Sequence, residues 1–330
     1  MALTEYGVSK LQTLLSLAAA DALGAATEFK TPDAIRARYG ESITTYQSGS
    51  VFGFAPGEAT DDTQMTVATL LGYRKKDGLA GVLLGLREWL ATGPPDVGGL
   101  TRAALRFNTL DGGVRAWADS GFQSAGNGGL MRIAAVWLEG FRGAELARES
   151  ALVTALTHAD PRPVFASVFF TAFLDELARG QEYRAAAEAA LKVMDALDAR
   201  QVMLDAELLG IETMEASHAF SKAEREARAQ VRARVRSGLD GKITSQSGFV
   251  LDTLEAAIAH ARADSWLECI EPAVLRGDDS DTVACVAGAI AGAKGLSVPE
   301  PLLADLRLGH TWAGWKRDWA CTAHFPGLLA

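Results

Sequence analysis

Apolar residues recur at helical spacing along much of the chain while strand signals are scarce, and this points to a mostly helical fold. Leu11, Leu14, Leu15 and Ala18 form one such series, with Ser9 placed to cap it. Residues 63–73 carry Met65, Ala68, Thr69 and Leu71 in a similar pattern. Residues 79–90 are apolar and stop at Thr92-Gly93-Pro94-Pro95, a strong helix breaker. Residues 164–178 and 185–197 read as helices punctuated by Pro163 and Gly180. Residues 202–235 read as one long charged helix whose Arg/Glu-rich part is expected to be a solvated face. Residues 43–54 mix Thr, Tyr, Val and Phe with glycine, and a short hairpin or a loop both suit them. Strands do not alternate with helices, which disfavours a doubly wound sheet.

The 330 residues suffice for a packed core. There is no internal repeat, low-complexity tail or Pro/Ser-rich linker, so one compact domain over residues 1–330 is expected. A formal net charge of -9 argues against coating nucleic acid by bulk charge and suits a divalent cation. Cys269, Cys285 and Cys321 are odd in number and lack CxxC spacing, so the expected setting is a reducing cytoplasm. The N-terminal residues do not have the make-up of a signal peptide. No apolar run reaches the roughly 18 residues that span a bilayer.

Carboxylates gather at two helix starts. Thr60-Asp61-Asp62-Thr63 follows a Gly/Pro loop and precedes an apolar helix. Helix capping is the simplest account of it, because acidic residues favour a helix N-terminus. Asp278-Asp279-Ser280-Asp281-Thr282 precedes a second, strongly apolar helix. Capping does not explain three carboxylates in one turn, since they repel one another once desolvated. A cation removes that difficulty, and oxygen-only donors select a hard metal, Mg²⁺ or Mn²⁺. The spacing is not that of an EF-hand. Two such starts converging can hold two cations about 3.5–4 Å apart. The small residues after Thr282 imply close helix packing behind the site.

Four weaker signals accompany these. The loop from Ser124 to Gly129 suits a phosphate or is an ordinary turn before the apolar residues Leu130, Ile133, Ala134, Val136 and Trp137. His158 follows an apolar helix, where a structural histidine is the ordinary reading. Asp21 ends an apolar helix and needs a pairing or hydrogen-bonding partner or a metal nearby, while Glu28 is either a surface carboxylate or lies beside a ligand. Phe249, in the loop Ser245–Thr253, is either core or a stacking surface.

In this order the segments resemble the ADP-ribosylglycohydrolase family over about residues 11–296, which leaves an extension over about 299–330 that matches no motif. The markers are Asp21-Ala22-Leu23-Gly24 with Glu28, Thr60 to Thr63, Gly126 to Arg132, Thr157-His158, Gly248 to Thr253, and Asp279 to Thr282. The resemblance implies an all-α orthogonal helix bundle with a binuclear Mg²⁺ or Mn²⁺ centre. It places metal ligands at Thr60, Asp61, Asp62, Asp279, Asp281 and Thr282. It places ADP-ribose contacts at Glu28, Ser124, Gly126, Asn127, Gly128, His158, Gly248 and Phe249. Ala20 and Asp278 stand where glycine is common in the family, and Ser124-Ala125 falls at a variable position.

The activity so implied is hydrolysis of the bond between the distal ribose and an acceptor, with ADP-ribose as product. Asp61, Asp62 or Asp279 would act on the water, and Glu28 would gate or orient the substrate. An ADP-ribosylated protein, with arginine first among acceptors, is the expected partner. A nucleic-acid acceptor stays open, no membrane is expected, and the oligomeric expectation is a monomer. Two rivals remain at this stage: a non-catalytic ADP-ribose reader and a metal-dependent nucleotide phosphohydrolase.

Overall fold

The computed structural model describes residues 10–308 and 322–329. Ser9, His310 and most of the Trp-rich segment therefore lie outside the described residues. The helices are α1 (Lys10–Gly24), α2 (Pro32–Tyr39), α3 (Asp61–Tyr73), α4 (Gly78–Ala91), α5 (Gly99–Leu105), α6 (Gly112–Asp119), α7 (Ala134–Glu139), α8 (Gly143–Ala155) and α9 (Pro161–Ala178). They continue with α10 (Tyr183–Ala196), α11 (Ala199–Asp205), α12 (Met214–Leu239), α13 (Val250–His260), α14 (Trp266–Arg276), α15 (Ser280–Ala293) and α16 (Glu300–Asp305). A 3₁₀ turn, Thr322–His324, leads into α17 (Phe325–Leu328). Among the described residues there is no strand, only isolated bridges at Glu58–Arg307 and Gly126–Phe249. Residues 43–54 form a loop.

Two expectations from periodicity are corrected. The charged stretch 202–235 is two helices, because Gly210 and its surroundings break it between α11 and α12. In α12 Arg225, Glu226 and Arg236 are exposed on one face, while Ala227, Val231, Val235 and Gly238 are buried on the other and the Arg228 guanidinium lies 4.0 Å from the Phe165 ring centroid. The apolar residues after the glycine loop also begin a helix later than their pattern suggests. Leu130 to Ile133 continue the turn, and α7 starts only at Ala134.

The pair that matters most for the site is α1 against α15. Their small residues let the backbones approach closely. A methyl group at Gly288 would lie 2.6 Å from Ala20 Cβ, and one at Gly24 would lie 2.5 Å from Asp281 Cα. The Ser16 hydroxyl, which donates to the Gly288 carbonyl at 2.6 Å, accepts from Trp266 Nε1 at 2.9 Å. This contact sets the acidic end of α1 directly beside the acidic start of α15. Behind both, one cluster of buried apolar side chains runs from Leu14 to Leu329. No described helix is long and apolar enough to cross a membrane.

A candidate metal and ADP-ribose site

The start of α3 is capped, but not by its own residues. Neither Thr60 nor the acidic side chains after it cap the first turn. The cap comes from Asp21 of α1, which is wholly buried. Its carboxylate accepts from the Thr60 and Thr63 backbone N–H groups at 3.0–3.1 Å. It also accepts from the hydroxyls of Thr60 at 2.7 Å and Thr63 at 2.5 Å. These donors use the N–H groups that a helix start leaves free, and the positive end of the helix dipole adds to them. Burial still raises the Asp21 carboxyl to about 6, against the lowering pull of the Thr63 and Thr60 hydrogen bonds. Asp61 and Asp62 are thereby released from capping.

The released carboxylates are buried and short of partners. Asp62 Oδ2 accepts from Thr282 Oγ1 at 3.2 Å and weakly from Thr60 Oγ1 at 3.4 Å, while Asp62 Oδ1 has no partner. Asp281 Oδ1 and Glu28 Oε2 are also buried without a partner. Carboxylate oxygens of Asp21, Asp62 and Asp281 lie within 4.8 Å of one another, and so do those of Glu28, Asp96 and Asp281. Asp281 belongs to both groups. Burial, followed by mutual repulsion, holds Asp61, Asp62 and Asp281 well above the usual carboxylate range. Burial and then Asp281 push Glu28 up to about 11. Burial raises Asp96 to about 6, against a hydrogen bond shared with Asp61.

Unpaired buried anions are unfavourable unless a cation or protons neutralise them. Oxygen donors from two helix starts, several with free lone pairs, fit a hard divalent ion. Asp21 is already saturated by its four donor groups, so it orients the site rather than completing it.

These residues wall one end of an open cavity of about 270 Å³. The opposite wall is the glycine loop, held by pairing with the segment before α13. Asn127 N donates to Gly248 O at 3.1 Å, and Val250 N donates to Ala125 O at 3.0 Å. Asn127 Nδ2 donates to Thr253 Oγ1 at 2.9 Å and to Asp279 Oδ2 at 2.7 Å, which ties the loop to the start of α15. The loop needs glycine because His158 packs under it. A methyl at Gly128 would come within 3.0 Å of His158 Cε1. His158 Nδ1 shares a 2.8 Å hydrogen bond with Thr157 Oγ1. Burial and the Arg132 charge lower its pKa to about 3, so it is a neutral wall rather than an acid. Among the described residues no acceptor takes the N–H of Gly128, Gly129 or Leu130, and Gly128, which lines the cavity, offers its donor to an anion there. The donors belong to the turn itself, since α7 begins only later.

The structure thus brings Glu28, Asp61, Gly126, Asn127, Gly128, His158, Gly248, Asp279, Asp281 and Thr282 to one cavity. Thr60 and Asp62 lie behind that wall, bonded to Asp21 and Thr282. Two expected ADP-ribose contacts do not line it. Ser124 is half-buried, with its N–H on Ser120 Oγ at 3.2 Å. Phe249 is half-buried, packed on the core, with the Arg162 guanidinium 5.6 Å from its ring centroid. The core reading of Phe249 is the one its packing supports. Sequence reasoning missed Phe29, Asp96 and Thr101, which do line the cavity. Asp96 directly follows the segment Thr92–Pro95 read as a helix breaker, and no spacing marked it.

The ADP-ribosylglycohydrolase family model matches residues 10–322. The chain is 29% identical over 308 residues to an ADP-ribosylarginine hydrolase Tri1 of Serratia proteamaculans (strain 568), covering 89% of this chain and 74% of that protein. It is 26% identical over 289 residues to the ADP-ribosyl-dinitrogen reductase glycohydrolase of Rhodospirillum rubrum, covering 86% and 84%. In fold it resembles a solved ADP-ribosylglycohydrolase-related protein complex, with a TM-score of 0.64 at 23% identity over 97% of this chain and 95% of the other. With the match spanning both acidic helix starts and the glycine loop between them, the chain belongs to the ADP-ribosylglycohydrolase family.

Proposed function

We propose that the protein is a metal-dependent hydrolase that frees ADP-ribose from an arginine side chain by cleaving the bond at the distal ribose. The observation that carries this reading is the pair of buried, partnerless oxygens on Asp281 and Glu28 at one end of a cavity, with that of Asp62 behind them, while the glycine loop lines the other end with the free Gly128 N–H. One end calls for cations and the other for an anion, and a diphosphate joined to a ribose spans such a pair.

Asp61, Asp62, Asp279, Asp281, Thr60 and Thr282 would hold one or two divalent ions, Mg²⁺ or Mn²⁺, with Asp281 facing both positions. Such ions supply positive charge that orients the ribose hydroxyls and stabilises the charge developing on bond breakage. The Gly126–Gly129 loop would receive the diphosphate on its free N–H groups. Asn127 fixes Asp279 by direct donation. Asp61 and Asp279 both line the cavity, and with Asp279 Oδ2 already accepting from Asn127, Asp61 is the candidate base left to accept a proton from an attacking water. Asp62 faces Thr282 and Thr60 instead, which suits a ligand better than a base. Glu28, buried at the cavity wall with one oxygen unpartnered, would accept a hydrogen bond from the substrate and orient it.

Incubation with ADP-ribosylarginine tests the reading. Release of free ADP-ribose, abolished by EDTA and restored by Mg²⁺ or Mn²⁺, is the expected result. AMP with ribose phosphate would instead identify a phosphohydrolase, and tight ADP-ribose binding without turnover of any acceptor would identify a reader.

A further inference from the structure

An aromatic ring stands at the cavity wall where no aromatic is needed for packing. Phe29 is 64% exposed although it lines the cavity beside Glu28. Its backbone is in the left-handed region, φ 55, which a bulky residue rarely adopts. That conformation is held by a reciprocal pair: Phe29 N donates to Asp278 O at 2.6 Å, and Asp278 N donates to Lys30 O at 3.1 Å. Asp278 is itself left-handed, φ 54. The ring is therefore tied to the loop that leads into the carboxylates of α15. Phe52 meets it edge-on, with centroids 6.0 Å apart and planes at 66°, and braces one side. Nothing in the core gains from this arrangement, so a strained, braced and exposed ring is most simply a surface for a ligand.

The charge of the cavity says what kind of ligand. Five carboxylates line it, from Glu28, Asp61, Asp96, Asp279 and Asp281, and among the described residues no Lys or Arg does. His158 is neutral. With Asp61, Asp279 and Asp281 taken up by the proposed cations, an acceptor that enters here meets the Glu28 and Asp96 carboxylates and an aromatic face together. A guanidinium answers to both, since it is cationic, planar and weakly hydrated, and it stacks on aromatic rings. We propose that Phe29, braced by Phe52, is the acceptor platform, and that the guanidinium of an ADP-ribosylated arginine lies against its ring during hydrolysis. This rests on the functional reading above and adds to it the residue that selects the acceptor.

The test uses the full chain with Phe29→Leu, Phe29→Tyr and Phe29→Gly. The substrates are ADP-ribosylarginine and a serine-linked ADP-ribosyl peptide, and ADP-ribose affinity is measured by calorimetry. Phe29→Leu is expected to lower kcat/KM on the arginine-linked substrate about tenfold, the size of a partly desolvated cation–π contact. Phe29→Tyr, which keeps the ring, should retain wild-type turnover. Agmatine, a free guanidinium compound, should inhibit Phe29→Leu more weakly by the same factor, and any serine-linked turnover should be unaffected. Phe29→Gly removes the ring and relieves the backbone, so its expected loss of arginine turnover comes without loss of thermal stability. Arginine-linked turnover unchanged in Phe29→Leu, or a matching loss of ADP-ribose affinity, would overturn the proposal. Failure of the wild-type protein to cleave ADP-ribosylarginine would refute the functional reading itself and is seen before any variant is made.

Discussion

Asp281 shows how a single side chain reports on ligand binding and stability in opposite directions. Its buried, unpartnered oxygen is unfavourable in the empty protein and useful only with a cation. Asp281→Asn should therefore lower hydrolysis at least about a hundredfold, the scale on which a preorganised charge contact acts. The same substitution should raise the melting temperature of the metal-free protein, because it removes one of several repelling carboxylates. Kinetics and thermal unfolding in EDTA read the two effects, and a fall in both would mean that Asp281 is structural. Asp21 behaves differently. Asp21→Ala takes the cap from α3 and leaves buried donors unpaired, with an expected loss of about 1–3 kcal/mol read by denaturant titration. Much at this scale was legible in the sequence: Asp61, Asp62, Asp279 and Asp281 announce themselves by clustering at helix starts. Asp96 and Phe29 did not, because a lone residue in an irregular loop acquires its place only from contacts distant in sequence.

Among the elements, α1 and α15 decide whether the site exists. Their apolar spacing and small residues were readable as helices and as close packing. Which helix met which was not readable, and neither was the fact that the partner supplies the cap on α3. Gly288→Ala would place a methyl 2.6 Å from Ala20 Cβ, so the two helices must separate. Overpacking of this kind is expected to reduce stability by about 1–3 kcal/mol. It should also weaken metal binding, because Asp21 and Asp281 ride on the two helices that part. Metal titration of the variant beside thermal unfolding checks this, and unchanged metal affinity would show that α3 alone sets the geometry. The glycine loop carries the opposite lesson. Its composition was legible, but the delayed start of α7 was not, because Leu130 to Ile133 keep helical spacing while forming a turn.

For the molecule as a whole, the acidic site links stability to pH. The raised carboxyls of Asp61, Asp62, Asp281 and Glu28 are protonated in the metal-free folded chain at pH values where the unfolded chain has released those protons. The folded state then binds more protons, so this contribution to stability is present at acid pH and is lost as pH rises above the ordinary carboxylate range. A divalent ion takes the place of those protons, and its binding releases them. The rise in melting temperature on adding Mg²⁺ or Mn²⁺ should therefore grow between pH 5 and pH 8, as scanning calorimetry at fixed metal would show. A rise independent of pH would mean that the ion binds elsewhere. His158 acts in the other direction: held neutral down to about 3, it reduces stability as pH falls below its ordinary value of 6.5, because the unfolded chain takes up the proton.

The contact between α1 and α15 has one more consequence, which concerns the life of the chain before it is an enzyme. Ser16 and Gly288 touch across 272 positions of sequence. During synthesis the face of α1 that packs on α15 must wait for those intervening positions to be made, and it lacks its main native cover until α15 leaves the ribosome. Loops of this span close slowly, and exposed intermediates are prone to aggregate. The acidic starts of α3 and α15 are held apart for the same interval, so the proposed metal site can assemble only after α15 has been made.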